Sequence, residues 1–188
     1  MSRQVLYVAA PLRPTEAEID AIQPFTVSPG RGEYEVDAKI WKPHETRLRE
    51  ALRANLDRAM RWISWLRRSF PETTFIAPWI ATVMSLGNDD SPVLREAGLV
   101  DDCAVIERCD GIVLCGGRIS DGMRREMDHG VAFWNGPSEL NRSDEPVRFA
   151  REFAVYDLIS LGNDPPHAAL RVPRGCSFRE WVRDCVCR

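Results

Sequence analysis

The segment from residue 111 to residue 126 constrains the fold more than any other part of the chain. It begins with the apolar run 111–115, passes through a glycine-rich turn, and continues as a helical pattern that carries Glu126 in its second turn. A strand that leads through such a turn into a helix is typical of α/β proteins, in which ligands bind at the carboxyl ends of the strands. We therefore expect Glu126 to lie at a ligand site; the alternative is a surface glutamate on an ordinary helix.

The residues around Glu126 also favour a ligand site. Ser120 directly precedes the helix and is suited to cap its free amides, and a capped helix N-terminus can bind an anion. Gly122, Glu126 and Gly130 are spaced four apart, so they share one helix face with little side-chain bulk beside the acid. A ligand that lies on the glycines could therefore reach the carboxylate.

Apolar strands alternate with helical segments along the chain, which predicts one α/β domain over residues 1–188. Apolar residues recur every three or four positions from about His44 to Phe70, as in an amphipathic helix. We expect a flavodoxin-like or Rossmann-like, doubly wound parallel sheet of about five strands, with the loops after its first three strands along one edge. The predicted strands are 4–10, 73–77, 111–115 and 152–161, and the predicted helices 44–70, 93–108, 120–134 and 177–187.

The remaining segments are rich in proline, glycine and polar residues. The longest, 12–43, is predicted to be an inserted loop or lid with a short helix at 15–22, since loops of this length are usually functional or disordered. We predict a loop or broken helix at 79–92 and a loop at 136–146. Residues 165–188 are predicted to be a C-terminal extension.

Composition excludes several classes of function. The 188 residues carry a formal net charge of −3 and the pI is about 5.7, so the balance of charge favours neither nucleic acid nor an anionic membrane. No segment approaches the roughly 20 apolar residues of a membrane span, and the N-terminus shows no signal-peptide pattern. We therefore expect a cytoplasmic protein.

The six cysteines do not form a metal-binding pattern, because none stands in a CxxC pair and histidines are few. We therefore expect neither a metal nor a cofactor. Cys185 and Cys187 near the C-terminus are interpreted as reduced thiols, with metal binding or oxidation as the alternatives.

Several motifs together resemble those of nucleoside 2-deoxyribosyltransferase-like proteins. Residues 7–12, Tyr-Val-Ala-Ala-Pro-Leu, resemble the family's opening YxAGPL motif, and Ser120-Asp121-Gly122 with Glu126 resembles its S/D-x-G-x-x-x-E segment. Residues 95–102 and 107–110 resemble the helix and strand that precede that segment. The resemblance spans roughly residues 4–161, interrupted by the long loop.

The resemblance implies a role for individual residues. In that family a glutamate attacks the anomeric carbon of a 2-deoxyribosyl group, an acidic residue assists departure of the base, and an early tyrosine positions the glutamate. By position in the motifs, Glu126 would be the nucleophile, Asp102 the assisting acid and Tyr7 the orienting residue. The substrate would be a small molecule, a nucleoside or nucleotide. The matching motif positions also imply substrate-binding roles for Ala9, Pro11, Ser120 and Gly122.

The chemistry agrees with these residue types. Cleavage of an N-glycosidic bond passes through an oxocarbenium-like state that a nearby carboxylate can stabilise or trap. The departing base needs a proton, so one carboxyl should be kept protonated by its surroundings, and the apolar neighbours of Asp102 could raise its pKa. The alternatives are a helix-surface aspartate for Asp102 and packing under a helix for Tyr7.

The chain departs from the family pattern at three points. Ser120 replaces the aspartate of many transferases; relatives that hydrolyse deoxynucleoside monophosphates carry serine there and use it on the 5′-phosphate, which favours a nucleotide substrate. Those relatives usually have glycine where this chain has Arg124, which could bind phosphate or block the pocket. The transferases complete their site with a C-terminal carboxylate, and the resemblance assigns that role to no residue of this sequence.

Several alternatives stay open. Trp79 could stack on a base or pack in the core or a lid. The enzyme could be a hydrolase or a transferase. The same fold could instead form a non-catalytic nucleotide-binding or sensing module, or a glycohydrolase for an NAD-type or nucleotide-sugar ligand. A homo-oligomer, a dimer or larger, is expected from the family. Trp62 and Trp65 could form a subunit contact or broaden the apolar face of their helix.

Overall fold

The computed structural model is an α/β protein built on a parallel sheet. It describes residues 3–15, 38–86, 92–135, 153–166, 172–173 and 175–186. The elements, in chain order, are β1 (Val5–Ala9), α1 (Ala38–Ser69), β2 (Thr74–Ile76), α2 (Pro78–Leu86), α3 (Pro92–Ile106), β3 (Gly111–Leu114), α4 (Asp121–Asn135), β4 (Ala154–Asp157) and α5 (Phe178–Trp181). A 3-10 turn (Ile159–Leu161) follows β4, and a π-helical turn (Val182–Val186) follows α5.

The sheet has the strand order β2-β1-β3-β4, and every neighbouring pair is parallel. The described residues form four strands, not the five predicted. All four lie within segments in which strands were predicted, and the C-terminal segment that was predicted to be helical forms a helix on one face of the sheet. That helix, α5, buries Phe178 and Trp181 beside the sheet, and Ser177 and Glu180 form a capping box at its start.

Two clusters of buried side chains place helices on both faces of the sheet. One face packs against α1 and α5, with Leu6, Val8 and Val113 from the strands. The other packs against α2, α3 and α4, with Tyr7 and Ile112 from the strands. Because side chains alternate across a strand, β1 supplies Leu6 to one cluster and Tyr7 to the other.

The structure decides between two predicted alternatives and moves one boundary. Of the loop and the broken helix predicted at 79–92, it has the broken helix: one helix spans Pro78–Leu86, and a second starts at Pro92. Both helices begin at a proline, which is tolerated in the first turn because the missing N–H has no intrahelical partner there. The predicted loop at 12–43 is shorter, since α1 already begins at Ala38. Most of the helix predicted at 15–22 and the whole loop predicted at 136–146 lie outside the described residues.

The two tryptophans on α1 are not an exposed pair. Trp62 is fully buried, and its indole N–H donates to the carbonyl oxygen of Asn163 at 2.9 Å. Trp65 is half-buried and packs edge-on against Trp62 and Phe70 and tilted against Trp181. Trp62 therefore broadens the apolar face of α1, which was the alternative to a subunit contact, because the C-terminal region covers this part of the helix.

The close approach of α4 to its neighbours gives a stability prediction. A Cβ atom at Gly130 would lie 2.4 Å from Cζ of Phe153 and 2.9 Å from Cγ2 of Ile106. We expect Gly130→Ala to lower the free energy of unfolding by about 1–3 kcal/mol through overpacking, despite the better helix propensity of alanine. The matched control is Gly122→Ala on the same helix, where the nearest atom would be 3.8 Å away. Urea denaturation should show a near-neutral effect for this control; equal effects of the two variants would contradict the packing argument.

Candidate functional site

A cavity lies at the carboxyl edge of the sheet, between the residues that follow β1 and the helices α2, α3 and α4. Its volume is about 110 Å³, below the roughly 300–1,000 Å³ typical of pockets that enclose a whole drug-sized ligand. It can therefore enclose part of a ligand, such as a sugar ring. The site consists of two carboxyl groups on the cavity wall and of Tyr7, which is hydrogen-bonded to one of them.

Tyr7 and Glu126 form a buried pair. Tyr7 is in the middle of β1 and is completely buried, and Glu126, in the second turn of α4, is only 6% exposed. The Tyr7 hydroxyl donates a hydrogen bond to Oε1 of Glu126 at 3.0 Å. Such a bond fixes the direction of the carboxyl group, and Glu126 lines the cavity.

Asp102 on α3 is the second carboxyl of the site. It is 7% exposed and lines the same cavity. Burial raises the pKa of Asp102, and the nearby Tyr7 hydroxyl offsets part of this rise, so the tyrosine interacts with both acids. The structure thus brings together all three residues for which the resemblance implied a role in catalysis, each on a different element.

Burial raises the pKa of each of these groups. The pKa of Glu126 rises to about 8, because of burial and then of the negative charge of Asp102, against the hydrogen bond from Tyr7. The pKa of Asp102 rises to about 6, mainly through burial. Burial, followed by the charges of both acids, holds the pKa of Tyr7 well above its usual value. The tyrosine therefore remains a hydrogen-bond donor across the physiological range.

The start of α4 forms one wall of the cavity. Oγ of Ser120 accepts a hydrogen bond from the amide of Met123 at 3.3 Å, as expected of a capping residue, and Ser120 lines the cavity. Gly122 also lines it, and its missing side chain leaves space towards Leu99. Gly116 and Gly117, with φ of 95° and 78°, allow the tight turn between β3 and this wall.

Three predicted substrate-binding residues do not line the cavity. Arg124 is exposed to solvent; it is two residues from Glu126, which places it about 200° around the helix. Ala9 is buried in the core beneath the site, and Pro11 is buried against Gly116. The neighbouring residues Ala10 and Leu12 take their places in the lining.

Trp79 lines the cavity but is largely a core residue. It is buried, and its indole N–H donates to the carbonyl oxygen of Val8 at 2.9 Å. This bond ties the start of α2 to the end of β1. The position agrees better with the packing alternative than with a ring that is free to stack on a base.

Two cationic residues of the lining escaped the sequence analysis. Arg13 follows β1, and Arg95 is on α3, both on the cavity wall. Arg95 precedes Asp102 by seven residues, which is two helical turns, so the two side chains share a face of α3. That spacing was a signal in the sequence. Arg13 carried no such signal, because its position depends on how the chain turns after β1.

None of the described helices combines the length and the apolar composition of a membrane span. Nor do the described histidine, cysteine and acidic side chains form any group of three that could hold a metal ion.

Comparison with known proteins gave one match. No curated protein and no solved structure matches the chain. Residues 45–132 match the model of a family described as a domain of unknown function, DUF7768. The match covers less than half of the chain, and it contains Asp102 and Glu126 but not Tyr7. Over the segment that supplies both carboxyl groups of the site, the chain is therefore similar to DUF7768, whose description names no activity.

Proposed function

We propose that this protein cleaves or transfers the N-glycosidic bond of a 2-deoxynucleoside or its 5′-monophosphate, with Glu126 as the nucleophile. The observation that carries the proposal is the buried Tyr7–Glu126 hydrogen bond, with Asp102 on the wall of the same cavity. An oriented carboxylate and a second acid, both largely excluded from water, are what glycosyl transfer needs. The parallel order β2-β1-β3-β4, with helices on both faces, supports a flavodoxin-like fold.

In the proposed reaction, the carboxylate of Glu126 attacks the anomeric carbon and forms a glycosyl ester while the bond to the base breaks. Asp102 gives its proton to the departing base and becomes a carboxylate. In the second step Asp102 removes a proton from water, or from an incoming base, which attacks the same carbon and releases Glu126. Tyr7 holds Glu126 in line throughout.

The proton must start on Asp102 for this scheme to operate. In the structure, however, the pKa of Glu126 is raised to about 8 and that of Asp102 to about 6. Without a ligand, the proton therefore resides on Glu126 and not on Asp102. The two carboxyls and Tyr7 interact, so the pair holds about one proton near neutral pH and a ligand can redistribute it. A base whose ring nitrogen accepts a hydrogen bond from Asp102 would favour the proton on Asp102.

The same pKa order favours a second candidate function. A glutamate that holds a proton at neutral pH is a weak nucleophile and a good hydrogen-bond donor, as in a site that binds a nucleotide without turnover. Thermal-shift measurements with deoxynucleotides distinguish the two. Strong stabilisation without free base supports a binding or sensing module, whereas free base supports the enzyme.

The direct test of the proposed enzyme is to incubate the protein with each deoxynucleoside and each 5′-monophosphate and to follow the free base by chromatography. Mass spectrometry of the rapidly quenched protein should show a deoxyribosyl adduct on Glu126. Failure of every substrate to release base would reject the enzyme.

The two cavity arginines predict a preference for the monophosphate. We expect Arg95→Gln to raise KM for a deoxynucleoside 5′-monophosphate about 10–100-fold, because a charge-assisted contact is worth roughly 1.5–3 kcal/mol, and to leave KM for the free nucleoside nearly unchanged. Arg124→Gln is the matched control, since Arg124 is exposed and outside the lining. If Arg95→Gln raised KM equally for the monophosphate and the free nucleoside, Arg95 would not contact the phosphate.

A further inference from the structure

Asn55 is a buried polar residue that the proposed chemistry does not use. It lies on α1, four residues before Ala59 and seven before Trp62, on the buried side of the helix, and it is only 6% exposed. It is not part of the cavity lining. A buried carboxamide is costly unless its hydrogen bonds are made, so its partners indicate what it does.

Both ends of the Asn55 carboxamide are engaged. Nδ2 donates to the carbonyl oxygen of Leu12 at 2.8 Å, and Oδ1 accepts from Nη1 of Arg58 at 2.6 Å. The first bond joins α1 to the chain that follows β1. The second fixes which way the carboxamide points, because an arginine can only donate.

Leu12 and Arg13 form the wall of the cavity at this point and belong to neither a helix nor a strand. The next carbonyl along, that of Arg13, accepts a hydrogen bond from the guanidinium of Arg118, which lies in the turn before α4. Two consecutive carbonyls are thus held by side chains from different elements. These bonds take the place of the regular backbone pairing that this segment lacks.

We propose that Asn55 is a positioning residue that holds the Leu12–Arg13 wall against the cavity and thereby sets how tightly a ligand is bound. It acts through the Leu12 carbonyl and touches neither the ligand nor the two acids. The kinetic consequence rests on the proposed function; the structural consequence does not.

The test is Asn55→Asp, which keeps the size of the side chain and an acceptor for Arg58 but replaces the donor to Leu12 with an oxygen. Asp57→Asn, the reverse exchange at an exposed position of the same helix, is the control. By NMR relaxation, we expect the order parameters of the Leu12 and Arg13 amides to fall by at least about 0.1 in Asn55→Asp. They should be unchanged in the control. With deoxyadenosine 5′-monophosphate, we expect KM to rise about tenfold and kcat to stay within about twofold.

The outcomes separate the two proposals. Unchanged order parameters at residues 12 and 13 overturn the positioning role, whatever the activity. Absence of base release from the unmodified protein rejects the proposed function, while the order parameters still decide on Asn55. If Asn55→Asp does not fold, Asn55→Ala removes the same donor to Leu12 without placing a charge at a buried position and should give the same loosening; a rigid wall in that variant overturns the proposal. A lower kcat with unchanged KM also overturns it.

Discussion

Glu126→Gln is expected to lower the rate of base release by at least about 10³-fold, the scale of loss seen when a covalent nucleophile is removed. Glutamine has nearly the same volume and can still accept the hydrogen bond that Tyr7 donates to Oε1 at 3.0 Å. The variant therefore removes the negative charge and nucleophilicity of the side chain with little change in packing. The measurement is kcat/KM for the best deoxynucleoside or monophosphate, followed by chromatography of the free base.

Asp128→Asn provides the matched control, because Asp128 is an exposed carboxylate two residues further along the same helix. We expect its kcat/KM to equal that of the unmodified protein. Circular dichroism should show all three proteins equally folded. A Glu126→Gln variant that keeps more than about a tenth of the activity would contradict a covalent role for Glu126, because base release would then proceed without a glycosyl ester on that residue.

The approach of Tyr7 to Glu126 follows from periodicities that are visible in the sequence. Strand alternation predicts one face for Val5, Tyr7 and Ala9, and the spacing of Gly122, Glu126 and Gly130 predicts one face of α4. The structure turns these two faces towards each other, so that Tyr7 reaches Glu126. Periodicity does not predict how deeply a side chain is buried, and burial is the main cause of the raised pKa of Glu126 and Asp102.

Other features were not predicted because a local pattern was interpreted without the direction of the side chain around the helix, or without the distant segments that pack on it. Arg124 was predicted to bind phosphate or to block the pocket, although two residues of helix separate it from the face of Glu126 by more than half a turn. A subunit contact was left open for Trp62 because the segment that covers it is distant in sequence, with Asn163 as its hydrogen-bond partner. For α2 the sequence predicted a loop or a broken helix without deciding between them, because Pro78 ends a strand and is also a permitted first residue of a helix.

Asn55 illustrates a signal that was present but not used. A polar residue that falls on the apolar stripe of an amphipathic helix must find hydrogen-bond partners inside the protein. The stripe of α1 was recognised, and Asn55 lies within it, but its partner Leu12 lies 43 positions away in the chain. The sequence could therefore predict that Asn55 makes hydrogen bonds inside the protein, but it could not predict which residue is the partner.

The free energy of unfolding should fall as the pH rises through the titration of the acid pair. The pKa of Glu126 in the folded protein is about 8, against an ordinary value of 4.5. Between these values the folded protein binds more protons than the unfolded chain, so the stabilising contribution is complete below about pH 4.5 and is lost as the pH approaches 8. Asp102 contributes in the same direction at lower pH, up to its pKa of about 6.

Glu126→Gln isolates this effect, because glutamine stays uncharged at every pH and all other titrating groups are shared with the unmodified protein. We expect the two proteins to be about equally stable at pH 5 and the variant to be more stable by roughly 2–4 kcal/mol at pH 8.5, as measured by urea denaturation at several pH values. A difference that does not vary with pH would mean that Glu126 is ionised in the folded protein across the whole range. The negative charge on Glu126 that the proposed reaction needs also destabilises the fold. A protein that retains this glutamate therefore has a lower free energy of unfolding in exchange for the site.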